Sequence, residues 1–178
     1  VTHGVIYSIG DSGILDYHDQ PGAINEALAD IFGEMVEART YGTNDWLIGS
    51  QLAAPFRNMA NPNAYGQPSK MSQFIYTTSD AGGVHYNSGI IDHAFYLLAV
   101  GLPGAIGNGD AQRIFYRAMT LHLLLQSQFI DARHACVISA EELFGVGSAQ
   151  ALKTAEAFDA VEIFDAPPTA PPGRGRRR

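Results

Sequence analysis

The sequence predicts a mainly α domain, a bundle of about five helices with a long irregular region that forms a cleft. Three observations predict it. Apolar residues recur at helical spacing in several stretches, alternating β patterns are nearly absent, and residues 41–86 are dense in turn-forming steps. At 178 residues with 46% hydrophobic and 16% charged side chains, the chain has the composition of one globular domain with a proper core.

Residues 1–21, rich in Gly, Asp and Tyr, read as loop with at most a short turn. The first helix is expected from Gly22 to about Thr40, with Ile24, Leu28, Ile31, Phe32 and Met35 on one side. The span 41–86 follows, with "AAPFRNMANPNAYGQPSK" at its centre. Its Asn-Pro, Tyr-Gly and Gln-Pro steps interrupt regular structure, and irregular segments of such length commonly build binding loops. Four more helices are expected near 88–100, 110–127, 131–144 and 148–161. In the second of these, Ile114, Phe115, Ala118, Leu121, Leu124 and Leu125 are read as the buried side. Residues 1–166 form the domain, and the Pro- and Arg-rich residues 167–178 are expected to be a disordered tail.

Charge narrows the partners. The chain carries −7 overall, but four of its 11 basic residues lie in the terminal "GRGRRR". Residues 1–166 hold 7 basic against 18 acidic side chains, a net of −11, which repels nucleic acid and favours cations. Neither a nucleic-acid nor a membrane partner is therefore expected, and no stretch has the length of a membrane span. Cys136 is the single cysteine, so an internal disulfide and a cysteine zinc cluster are excluded; a small buried residue is its expected role.

Several residues have chemical potential. Glu26 and Asp30 stand four apart on the first helix, and Glu37 lies two turns beyond Asp30, placing all three roughly on one side. Such a stripe is either a solvated face or a cation site, since like charges at this spacing repel. His85 follows two glycines, and Asp80 lies five residues earlier, within reach of one ring nitrogen. A plain helix-capping role for His85 is the competing reading. Arg57 is the single cation between Arg39 and Lys70, in the expected cleft wall, where its planar fork suits carbonyl or carboxylate groups. Surface structural bonds would explain it equally. His18, His93, His122 and His134 have weaker cases, three of them within expected helices.

Together "GAINEALADIFGEMVE", "FRNMANPNAYG", "DAGGVHYNSGIIDHAFYLLAVG", "RIFYRAMT", "ELFG" and "AEAFDAV" resemble the thermolysin-type zinc metalloendopeptidases, from Tyr17 to about Val161. That resemblance implies a secreted, proenzyme-processed peptidase hydrolysing peptide or protein substrates through zinc-activated water. It implies that Glu26 ligates zinc, that Asp30 orients a zinc-bound histidine, and that His85, fixed by Asp80, donates to the oxyanion with Tyr17. Arg57 would hold the carbonyl of the residue after the scissile bond. Ile48, Leu52 and Phe56 would line the pocket that prefers a large hydrophobic residue there. Glu37 and Asp45 match two carboxylates of a paired calcium site, but Leu47 and Ser50 stand at further acidic positions, so one calcium or none is expected.

The opening "VTHG" fits the last three residues of H-E-x-x-H plus the next, with His3 as the second zinc-binding histidine. The first histidine and the general-base glutamate would precede Val1, in an N-terminal domain within the same polypeptide or in a separate chain. His3 and Glu26 alone leave fewer than the three protein ligands of a catalytic zinc, so the chain by itself is expected to be inactive. Twenty-two residues lie between them, three more than the family usually has, within "IYSIGDSGILD". The alternative is a non-catalytic peptide-binding domain of the same fold.

Overall fold

The computed structural model describes residues 1–9, 13–52 and 54–165. The expected tail at 167–178 lies outside them, as does part of the longer interval between His3 and Glu26. The described residues form six α-helices: α1 (Thr2–Ser8), α2 (Asp19–Tyr41), α3 (Asp80–Tyr96), α4 (Gly107–Arg117), α5 (Phe129–Phe144) and α6 (Ala149–Ala160). The sheet content is one hairpin of two-residue strands, β1 (Leu47–Ile48) and β2 (Arg57–Asn58), paired Leu47 to Asn58 and Ile48 to Arg57.

α2 is the axis of the domain. From Pro21 to Leu28 every residue is buried, and Asp30, Ile31, Glu34 and Met35 continue the buried surface. It packs most extensively on α3, while α5 pairs with α6 and α4. Between them Phe95, Phe115, Phe129 and Phe158 are almost wholly excluded from solvent, with Ile24, Leu28, Ile31, Ile90 and Ile114. Phe115 meets Phe95 edge-on at 5.1 Å and stacks on Phe158 at 6.2 Å, so the helices share one core. α2 ends where Gly42 takes the left-handed conformation and its N–H caps the Ala38 carbonyl.

Two expectations are corrected. Residues 2–8, expected as loop, form α1; a seven-residue helix with Ile6 as its one fully buried residue is too short to show a periodic pattern. The helix expected over 110–127 closes early, because Ala118–His122 is a π-helical turn and the chain is extended at Leu123. Leu121, within that turn, faces solvent, and past the end of the helix Leu124 and Leu125 are exposed while Leu123 is buried. α3 likewise ends in a π turn, Leu97–Gly101.

The irregular span is sewn to α3. Gln67, buried, donates from Nε2 to the His85 carbonyl at 2.8 Å and to Ser88 Oγ at 3.1 Å. Asn87 accepts the Ile75 N–H at 2.9 Å and returns a bond to the Ile75 carbonyl at 3.0 Å. Gly89 permits this approach: a Cβ there would lie 2.8 Å from both Gln67 Cβ and the Pro68 oxygen.

Candidate active site

The site gathers around Glu26, which α2 holds 4% exposed. Tyr17, in the loop before α2, donates its hydroxyl to Glu26 Oε1 at 2.5 Å. His3, from α1, places Nε2 3.5 Å from the same oxygen. His85, on α3, places Nε2 3.3 Å from Glu26 Oε2 and 3.3 Å from the Tyr17 hydroxyl. Arg57, on β2, brings Nη1 to 3.9 Å from Oε2. Four segments far apart in sequence thus converge on one carboxylate. Burial, with the Glu26 carboxylate as next cause, pushes the Tyr17 hydroxyl pKa well above its ordinary value.

His85 owes its direction to an unusual turn. Asp80, Ala81, Gly82 and Gly83 all have positive φ, at 54°, 49°, 85° and 80°, a complete left-handed turn before the right-handed part of α3. Two of the four are not glycine, so the turn is strained. It swings Asp80 back, so that Oδ2 accepts the His85 backbone N–H at 2.9 Å and Oδ1 meets Nδ1 at 2.5 Å. The ring is held at one nitrogen and presents the other to Tyr17 and Glu26.

Asp30, one turn after Glu26, lies 3.1 Å from Arg57 Nε. The two charges face each other without hydrogen-bond alignment, and Arg57 Nη1 is also buried without a partner. Burial raises the Asp30 pKa to about 6, against the lowering influence of Arg57. Ile48, Leu52 and Phe56 sit together at the hairpin: the Phe56 N–H bonds the Ile48 carbonyl at 3.0 Å, and a Cβ on Gly49 would strike the Phe56 ring. Leu52 and Phe56 are exposed.

Three polar residues of this region were not singled out in the sequence. Asn25 accepts His3 Nδ1–H on Oδ1 at 2.7 Å, which leaves Nε2 as the free lone pair facing Glu26. Its signal was a second polar residue in a run of α2 that is otherwise apolar. Glu34 and Asp92, both buried, each have one carboxylate oxygen with no partner. Burial raises both pKa values, that of Glu34 to about 7. Nothing in the sequence pattern distinguishes them from solvated acids.

His93 donates to the Met59 carbonyl at 2.9 Å, and His122 and His134 pair with Glu142 and Asp165 on the surface. His18 pairs with Asp19, also exposed. None of these four contacts the Glu26 cluster. Cys136 is buried and unpaired.

Fit to metals differs between the two candidate sites. Donors bonded at about 2.0–2.2 Å to one tetrahedral zinc stand roughly 3.4 Å apart. The 3.5 Å between His3 Nε2 and Glu26 Oε1 therefore suits two ligands of a single ion. Among the described residues no group of three or more His, Cys, Asp or Glu side chains is placed to hold a metal. For calcium, Glu37 and Asp45 supply two carboxylates toward the six to eight oxygens it takes, and Asp45 is exposed with Oδ1 accepting the Leu47 N–H at 2.9 Å.

Comparison with known proteins identifies the family. The family profile described as "Thermolysin metallopeptidase, alpha-helical domain" matches residues 13–163. The thermostable neutral protease NprT of Geobacillus stearothermophilus is 39% identical over 177 residues, covering 92% of this chain and 32% of that protein. Bacillolysin of Bacillus caldolyticus shows the same identity and coverage. Extracellular elastase of Staphylococcus epidermidis is 38% identical over 169 residues, with 92% and 31% covered. Among solved structures, the precursor of protealysin, a metalloproteinase from Serratia proteamaculans, superposes with a TM-score of 0.76 at 35% identity, covering 90% of this chain and 54% of that one. The chain thus spans about a third of the length of the curated relatives it matches. It belongs to the thermolysin metallopeptidase family, of which it carries the α-helical domain.

Proposed function

We propose that this chain supplies one wall of a zinc endopeptidase cleft, the wall that binds the substrate carbonyl and stabilises the oxyanion. The observation that carries the reading is the convergence of Tyr17, His85, His3 and Arg57 on the buried carboxylate of Glu26. His3 through Nε2 and Glu26 would hold the zinc ion, with Asn25 fixing the His3 ring. Zinc bound there supplies Lewis-acid activation of water and of the scissile carbonyl.

The remaining steps belong to the chain's own side chains. His85, fixed at Nδ1 by Asp80, turns Nε2 into the cleft beside the Tyr17 hydroxyl. With both ring nitrogens protonated, His85 joins the phenol as a second donor toward the oxygen where negative charge develops. Arg57 has a buried Nη1 without a partner, suited to the carbonyl of the residue after the scissile bond. Ile48, Leu52 and Phe56 favour a large hydrophobic side chain at that residue. The extracellular label of the staphylococcal relative supports secretion.

A catalytic zinc uses three protein ligands, and here two donors face each other. The chain alone is therefore expected to show no zinc-dependent turnover of peptides with Phe or Leu after the scissile bond. In a protein where the zinc site is complete, His85→Ala is expected to lower kcat by roughly 10²–10³-fold, and Arg57→Ala to raise KM. Unchanged kinetics in both variants would remove the proposal, and peptide binding without cleavage by the complete protein would favour a non-catalytic binding domain.

A further inference from the structure

We infer that Tyr17 and the metal compete for the carboxylate of Glu26, so that metal loading and release of the Tyr17 hydroxyl into the cleft are one event. The inference rests on the proposed roles of His3 and Glu26 as ligands and of Tyr17 as a cleft donor.

A phenol has a single proton to donate. Tyr17 gives it to Glu26 Oε1 at 2.5 Å, the same oxygen that faces His3 Nε2 at 3.5 Å. While that bond stands, the hydroxyl cannot also donate to a substrate oxygen. The other carboxylate oxygen is no open alternative, because His85 Nε2 lies 3.3 Å and Arg57 Nη1 3.9 Å from Oε2. A cation at Glu26 would neutralise the charge that holds the phenol proton and would crowd the oxygen that accepts it.

The surroundings decide which partner moves. Glu26 is 4% exposed, and Tyr17, His3, His85 and Arg57 surround its carboxylate, which holds it in place. The Tyr17 backbone is equally fixed: a Cβ on Gly22 would lie 3.0 Å from the Tyr17 carbonyl carbon and 2.5 Å from a Val84 methyl. Tyr17, by contrast, is 38% exposed, with His3 and His85 edge-on to its ring at 6.4 and 6.3 Å. The free element is the ring, turning about its own side-chain bonds toward the cleft.

The test is zinc titration of the chain and of its Tyr17→Phe variant against a chromophoric chelator, with circular dichroism confirming that both are folded. A hydrogen bond to a charged group contributes enough that its removal should tighten zinc binding about tenfold. In the unsubstituted chain, the Tyr17 ring resonances should shift in step with zinc occupancy. Equal or weaker affinity in Tyr17→Phe, or ring resonances unmoved at saturation, overturns the competition and leaves the ligand assignment standing. Failure of both folded proteins to bind zinc overturns the proposal that His3 and Glu26 hold the ion within this chain, and the competition with it.

Discussion

Asp80 bonds both the backbone N–H and the ring Nδ1 of His85, so one carboxylate sets where the histidine sits and which way its ring points. Asp80→Asn replaces one oxygen by a donor and breaks this pairing. The expected result is a weakened Nδ1–H bond, read from the nitrogen-15 shifts of the His85 ring. Where the zinc site is complete, turnover should fall roughly 10- to 100-fold, less than removing the donor itself.

The left-handed turn that makes this pairing possible gives opposite outcomes at neighbouring positions. Ala81→Gly removes a side chain from a conformation that L residues avoid, and should stabilise the domain by up to ~1 kcal/mol. Gly82→Ala adds a Cβ that would lie 2.1 Å from Asp19 Oδ1, at φ 85°. It should cost about 2 kcal/mol or more, a fall of roughly 4–8 °C in Tm. Thermal unfolding of the pair checks both signs.

Glu34 makes stability depend on pH in an unusual direction. Burial first, then the charges of Glu37, Asp45 and Asp30, raise its pKa from 4.5 to about 7 in the folded chain, while the Trp46 backbone N–H opposes the rise. Between those values the unfolded chain gives up the proton that the folded chain keeps. This group's contribution therefore falls as pH rises from about 4.5 to about 7 and is flat above. Glu34→Gln should remove that slope from denaturant midpoints measured across the interval, while a slope unchanged in the variant would place its source elsewhere.

Arg133 is the buried pin of the C-terminal segment. Its Nη1 donates to the Ala155 carbonyl at 3.1 Å, to Asp159 Oδ1 at 2.7 Å and to the Ile163 carbonyl at 2.8 Å. Arg133→Met should leave the Ala155 and Ile163 carbonyls unpaired, costing on the order of 2–3 kcal/mol. Limited proteolysis should then cut first after Val161.

What the sequence revealed, and what it hid, follows the range of the interactions involved. The long helices were legible because their apolar periods span several turns, and Asp80 with His85 because the pair is local. The resemblance to a known family supplied the long-range members, Tyr17 and Arg57, which no spacing rule joins to Glu26. α1 stayed hidden because seven residues carry too little pattern. The exposure of Leu121 and Leu124 was missed because the π turn that ends the helix at His122 leaves the composition unchanged. Glu34 and Asp92 read as ordinary charges, since burial of an acid is decided by the neighbouring helix and leaves no local mark.

The stitching of residues 62–75 to α3 has a mechanical consequence. Gln67, Asn87 and the bare Cα of Gly89 lock that stretch to the helix bearing His85, so the two travel as a single plate. α1, anchored through Ile6 as its one fully buried side chain, is the looser leaf of the cleft. Breathing of the site is thus expected to be a motion of His3 against a stationary His85, with hydrogen exchange fastest in Thr2–Ser8 and slowest in α2 and α3.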